Sequence, residues 1–384
     1  MIMTEYKDSE VGRIPADWEV TSLADIGEVK MCKRVLKDQT TENGEIPFYK
    51  ISTFGKKADA YIATSLYLNY KEKFSYPKRG DVLLSAAGTI GRTVIFDGAP
   101  SYFQDSNIVW LDNDERKVLN SFLYYVYKEI KWVTESGTIP RIYNGTVRSI
   151  KFAYPIDKNE QNAIANSLSS IDSLIYLLDE LIEKKRMIKE GLMQELLTGK
   201  KRLRGFSGEW VSVKLGAISN ISTGKRNGDE QVENGKFPFF VRSQIVYSID
   251  SYSYDGEAIL VPGEGSIGKI FHYINGKFDF HQRVYKISDI PDNYCTKFIY
   301  YYMTRFFGSY AMQNTVKATV DSLRLPVFLE FEMNLPPRKD EQCAIAHTFD
   351  SIVNDIATLE SQRNKYLLIK HGMMQQLLTG KTRL

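Results

Sequence analysis

Gly263-Glu-Gly-Ser-Ile-Gly268-Lys269 comes nearest to a motif with chemistry of its own. It fills the first seven places of GxxxxGK[ST], where backbone N–H groups cradle phosphate and a hydroxyl holds magnesium. Ile270 occupies the hydroxyl position, and the related stretch Ala86-Ala-Gly-Thr-Ile-Gly91-Arg92 lacks the first glycine. A glycine turn used twice explains both better than a phosphate cradle does. Three cysteines (Cys32, Cys295, Cys343) and four histidines (His272, His281, His347, His371) show neither metal-ligand spacing nor a disulfide framework. Asp340 and Glu341 stand where carboxylates suit the start of a helix.

Asn334-Leu-Pro-Pro337 shares composition with the Asn-Pro-Pro-aromatic tetrads that grip adenine in methyl transfer. Its order is wrong, the aromatic is missing, and no FxGxG cofactor loop accompanies it. Pro336 and its counterpart Pro155 read better as punctuation before two helices. These residue types predict a chain that catalyses nothing itself.

What they favour is contact with an anionic, hydrogen-bonding surface. Basic side chains gather in loop-like stretches beside polar and aromatic ones: Lys33 and Arg34, Lys50 with Ser52, Lys56 and Lys57, Arg92, and Arg141 with Tyr143 and Asn144. A second set comprises Lys225 and Arg226, Arg242 and Gln244, Lys269, Gln282 and Arg283, and Lys317. Arg and Lys match the guanine edge, Asn and Gln the adenine edge, and the remaining cations hold phosphates. Taken singly, each is more readily a solvated surface charge; the grouping singles them out. With 50 Lys and Arg against 47 Asp and Glu, a formal +3, binding would depend on local patches and shape.

Positioning such loops falls to a chain that repeats itself. Residues 159–203 and 340–384 align without a gap at an offset of 181, and LLTGK recurs at 196–200 and 377–381. Weaker echoes precede them: Trp18 with Trp210, Ile46-Pro-Phe-Tyr49 with Phe237-Pro-Phe-Phe240, Gly88-Thr-Ile-Gly91 with Gly265-Ser-Ile-Gly268. The layout is variable head, constant helix, variable head, constant helix.

Ile164, Leu168, Ile171, Ile175, Leu178 and Ile182 step by four and three along the first helix. Ile345, Phe349, Ile352, Ile356 and Leu359 repeat the phase in the second, with Tyr366 further on. This is a heptad seam, interrupted in its second copy by Gln362 and Arg363. A helix over 159–196 would run roughly 57 Å at 1.5 Å per residue. Two matched seams in one chain predict that each helix buries its stripe against the other as an intramolecular coiled coil. Antiparallel packing is expected, since parallel packing needs a return crossing of the whole length.

Short apolar runs between turn signals, at 81–85, 93–96, 107–111 and 258–261, predict strands; 119–131 and 294–307 predict helices. The expected fold is α+β. Mixed α/β heads occupy 1–157 and 201–338, and helices occupy 158–200 and 339–384. The heads would lie at opposite ends of the coiled coil, related by a pseudo-twofold axis. At 384 residues and 43% hydrophobic, the chain can fill two cores and is not a disordered one. Its first residues are polar and acidic, unlike a secretory signal, and no run of 18 apolar residues occurs. The expected compartment is the cytoplasm, without membrane contact.

The order of elements resembles the specificity (S) subunit of Type I restriction–modification systems. Gly12-Arg-Ile-Pro-Ala-Asp-Trp18-Glu-Val with Leu23, and Phe206-Ser-Gly-Glu-Trp210 with Leu215-Gly216, carry the resemblance. So do the two glycine turns, Asn159-Glu-Gln161 and Asp340-Glu-Gln342, and both LLTGK endings. The resemblance implies that each head is a target recognition domain for one half of a split, asymmetric site in double-stranded DNA. It implies helices that set the half-site spacing and dock two methyltransferase (M) subunits, which two restriction (R) subunits join. S-adenosylmethionine, ATP and Mg²⁺ would belong to those partners and not to this chain. A related system with a fused methyltransferase–nuclease partner, and a two-headed coiled-coil scaffold, stay open as other readings.

Overall fold

Val82-Leu-Leu-Ser85 is almost wholly apolar, and such a run hides both its faces only as an inner strand. In the computed structural model, which describes residues 5–132, 141–142, 144–314 and 322–384, all four of its residues are buried. The chain divides into two compact units, Met1–Leu178 with Gln362–Leu384, and Asp179–Ser361. Each unit holds one mixed head, the start of the long helix that follows it and the end of the other long helix.

In the first unit an antiparallel sheet runs in the order Gly27–Lys30, Ile108–Asn113, Val82–Ser85, Thr93–Ile95. A second sheet, Tyr102–Phe103, Ile46–Tyr49, Tyr61–Ile62, Thr40–Thr41, contains a parallel pair in which Tyr102 faces Phe48 and Phe103 faces Tyr49. Trp18–Ser22 pairs with Lys151–Pro155, tying the head's beginning to its end just before the long helix. Helix Asn120–Glu129 buries Phe122, Leu123, Tyr125, Val126 and Tyr127. These join Trp18, Leu23, Ile164, Leu168, Met374 and Leu377 in one apolar core, so head and long helices share it.

In the second unit a six-stranded sheet runs Asn220–Thr223, Val284–Ser288, Tyr254–Pro262, His272–Phe280, Phe237–Phe240, Tyr247–Ile249. Val211–Lys214 pairs with Glu332–Leu335 as the closing pair of this head. Helix Thr296–Asn314 buries Phe298, Ile299, Met303 and Phe307 against Leu196, Leu215, Ile345 and Phe349. The strand expected at 258–261 extends over nine residues, because its hairpin partner is equally long and satisfies the added backbone groups.

The long helices span Lys158–Leu196 and Lys339–Leu377, 39 residues each. Within each unit they run antiparallel, as the ion pairs between them record. In the first unit Lys370 meets Asp172 at 2.5 Å, and Arg383, just past the helix end, meets Glu160 at 2.7 Å. In the second, Lys185 meets Asp355 at 2.7 Å, and Arg202 grips Glu341 with two bonds of 2.6 Å. The two arginine–glutamate latches are the same pair displaced by 181 residues on both sides. Gly199 and Gly380 follow the helix ends with φ of +71° and +66°, a conformation that suits glycine.

Of the seam, Ile164, Leu168, Ile345 and Phe349 are fully enclosed, and Ile175, Leu178 and Ile182 are buried. Ile171, Ile352, Ile356, Leu359 and Tyr366 are half-buried. The seam is driest where a head lays its core on it, because two helices alone cover only one side of each other. Gln161 and Gln342 are buried at the helix starts. Gln161 accepts from Leu119 N–H and donates to Pro155 O; Gln342 accepts from Cys295 N–H and donates to Pro336 O. Further along, the inward positions pass to Met193 and Leu196, and to Met374 and Leu377, leaving Ile188 and Ile369 exposed. Among the described residues no helix is long and apolar enough to cross a membrane.

Candidate nucleic-acid interface

The parallel strand pair ends at Phe240 and Phe280 in the second head, so the loops that follow both strands leave side by side. His281 shapes one of them. Its N–H donates to Phe240 O, its carbonyl accepts from Val284 N–H, and its Nδ1 accepts from Arg283 N–H, each at 2.9 Å. Burial, and then the charges of Arg242 and Arg283, hold its pKa below the ordinary histidine value. The ring is therefore neutral near pH 7, with its proton on Nε2, and it props up a turn that presents Gln282 and Arg283 to solvent.

Four of the basic and polar residues selected from the sequence meet here. Arg242 Nη1 donates to one oxygen of Glu264 at 3.2 Å, and Arg283 Nη1 lies 3.3 Å from the other. Gln282 N–H donates to Arg226 O, and its side-chain amide donates to Asn227 Oδ1 at 2.7 Å. Arg226 itself faces inward, to Glu230 at 2.8 Å, Ser251 at 2.9 Å and Asp279 at 3.2 Å. Those carboxylates raise its pKa, Glu230 first, and make it a brace beneath the turn. Lys225, Gln244 and Lys269 are exposed, and Lys317 lies outside the described residues.

The glycine turn that carries Glu264 is held by packing. Gly265 and Gly268 have φ of +84° and +64°, and a Cβ on Gly268 would stand 2.5 Å from the Cα of Gly308. Gly263 O accepts from Leu323 N–H at 2.7 Å, and Glu264 forms a β-bridge with Ser322. Gly268 permits this close approach of backbone to backbone, whereas Gly265 serves the turn through its positive φ alone.

In the first head Ala87 stands where the second has Glu264, and it bridges Arg141. The turn after the parallel pair reads Gln104-Asp105-Ser106-Asn107. Gln104 Oε1 accepts from Ile51 N–H at 3.0 Å, and Asp105 receives Arg34 Nε at 2.8 Å. Arg34, Lys50 and Arg141 line one cleft of about 510 Å³ with Gln104, Asp105 and Asn107. Lys50 also pairs with Asp59 at 2.8 Å. Arg92 turns its guanidinium to Phe54 O at 2.8 Å, and Lys33 lies over the Phe74 ring. Ser52, Lys56, Lys57 and Asn144 are exposed; Tyr143 lies outside the described residues.

Each head thus presents exposed guanidinium groups at the end of a parallel strand pair, beside an exposed amide in the second head and half-buried amides in the first, with the chemistry to pair with base edges. A search among cations passes over the carboxylates between them, Glu264 and Asp105, and over Gln104 and His281, which hold the loops. Aligning the two glycine turns would have set Glu264 against Ala87 and marked the first of these as a difference.

The family model of the Type I restriction modification DNA specificity domain matches residues 15–184 and 207–368. A Haemophilus influenzae chain provisionally named a type I restriction enzyme specificity subunit is 54% identical over 177 residues. That alignment covers 46% of each chain, under half of the relative's length. The MjaVIII specificity subunit of a type I restriction enzyme from Methanocaldococcus jannaschii is 24% identical over 418 residues, covering 98% of this chain and 96% of that one. Among solved structures, the S subunit of a Type I restriction–modification system from M. genitalium has a TM-score of 0.70 at 18% identity, covering 94% and 96% of the two chains. The last is a likeness of fold.

Proposed function

The chain belongs to the Type I restriction–modification DNA specificity family, and from that membership we propose that it is a recognition subunit with no chemistry of its own. Each head reads one half of a two-part, asymmetric site in double-stranded DNA. The long helices set the half-site spacing and dock the methyltransferase. Their repeated surfaces suit two copies of one partner, so two methyltransferase subunits bind and two restriction subunits join them. S-adenosylmethionine, ATP and Mg²⁺ are held by those subunits.

The observation that supports this reading most is a repeated frame with unlike loops. Closing strand pair, glycine turn and arginine–glutamate latch recur in both units, while the turn that carries Arg283 in one head carries Asp105 in the other. Two unlike readers on one frame suit a target with two unlike halves. The test is expression with the methyltransferase partner, followed by single-molecule sequencing to map modified adenines. One two-part motif with a fixed gap of unread bases is expected. A contiguous motif, or modification by this chain alone, refutes the reading.

A further inference from the structure

We propose that Glu264 is a positioning residue that sets base specificity in the second head; the assignment rests on the DNA-recognition reading above. A carboxylate in a patch that faces a polyanion is repelled by phosphates, so it weakens binding unless it organises its neighbours. Glu264 has two such neighbours. Its oxygens are shared out one each to Arg242 and Arg283, at 3.2 and 3.3 Å. Each guanidinium gives up one Nη1 contact and keeps its other donors.

The carboxylate is held in place. Glu264 is three-quarters enclosed, its backbone bridges Ser322, and the residues on either side are the glycines of the packed turn. Two consequences follow for the arginines. Their side chains are ordered before DNA arrives, which lowers the entropy lost on forming a bidentate contact with a base edge. Their charge is also partly neutralised, which weakens the pull of any nearby phosphate and leaves geometry to decide where they bind. Glu264 therefore turns two potential phosphate clamps into base readers, of which guanine O6/N7 is the matching edge. Ala87, at the corresponding point of the first head, has no group that could do this.

The test uses the whole chain with its methyltransferase partner and compares Glu264→Gln, which keeps the size and loses the charge, with the unaltered protein. In the half-site of the second head, preference for the favoured base falls about tenfold at one or two positions. The other half and the gap stay as they are. The salt dependence of DNA binding steepens by about one in log–log slope as cationic charge is released. A motif that stays sharp in both halves overturns the proposal. So does loss of modification everywhere by a variant that melts like the unaltered chain, which would make Glu264 a direct contact. Should the variant melt lower, Glu264→Gln is added to a chain already carrying Arg242→Ala and Arg283→Ala. No further change in the salt slope supports action through the arginines, and a further change overturns it. If the unaltered complex modifies no two-part motif, the functional reading fails and takes the assignment with it.

Discussion

In the turn that follows the parallel strand pair the first head carries Asp105, two residues past the pair, and the second carries Arg283, three residues past it. Asp105 engages Arg34 from within the turn, whereas Arg283 is met by Glu264 from a neighbouring loop. The sheets differ too. In the first head Asp97-Gly-Ala-Pro100 interrupts the chain between Thr93–Ile95 and Tyr102–Phe103, and these strands lie in separate sheets. In the second the corresponding stretch is one strand, His272–Phe280, and a single sheet results. Proline lacks the N–H that a continuous ladder would need. Both heads nonetheless keep the short parallel pair that launches the loops. The loops that follow the parallel pair can therefore diverge in charge and the sheet behind them in continuity, while the launching geometry stays.

The comparison is broken most severely through the glycine turns. Gly268→Ala pushes a Cβ against the backbone of Gly308, whereas Gly91→Ala meets only the side chain of Trp132, at 2.5 Å. Both glycines have positive φ, at +64° and +82°. We expect about 3 kcal/mol lost for the first and about 1.5 kcal/mol for the second, read by thermal melting. Equal losses would show that the two turns are packed alike.

Next come the helix latches. Glu341 is fully buried, and among the described residues the further partners of Arg202 are Gly208 O and the Trp210 ring; Arg383 engages the carboxylate of Asp17 as well as Glu160. Glu341→Gln should cost about 2 kcal/mol and Glu160→Gln about 1 kcal/mol, since the second leaves its arginine paired. Reversal of that order in melting experiments would deny the redundancy. Arg283→Ala should remove about 1.5 kcal/mol of base discrimination, and only in one half of the mapped motif. Asp105→Asn, which releases Arg34, should act only on the other half.

The smallest effect concerns pH. His272 and His281 are both buried in the second head, and residues 1–157 contain no histidine. Burial lowers both pKa values, with the charges of Arg242 and Arg283 adding to the shift at His281. The unfolded chain takes up these protons near pH 6.5, where the folded head does not. Stability present above that pH is therefore lost as the pH falls from it towards the folded values. Hydrogen exchange at pH 7 and pH 5 should show loosening of the second head, reduced by His281→Gln. A slope untouched by that substitution would place its origin elsewhere.

The helices were legible because a heptad seam depends only on spacing within one segment. Ile164, Leu168, Ile345 and Phe349 are as enclosed as that spacing predicts. Beyond those positions the register slips, so that Met193, Leu196, Met374 and Leu377 turn inward and Ile188 and Ile369 are exposed. The candidate site was legible only as a census of cations. Arg226 and Arg283 read alike in sequence, yet Arg226 is half-buried and spent on Asp279 and Glu230 while Arg283 is exposed. Arg92 likewise bonds a carbonyl 38 residues away.

Periodicity and the 181-residue repeat suffice for the two long helices, their ends and the pair of heads, since each follows from residues close together in the chain. Which cations face outward, which are neutralised, and which carboxylate stands between two of them depend on partners brought in from other strands. Glu264 lies 22 residues from Arg242 and 19 from Arg283, and only the folded sheet sets their charges a hydrogen bond apart. A contact of that kind has no period to betray it.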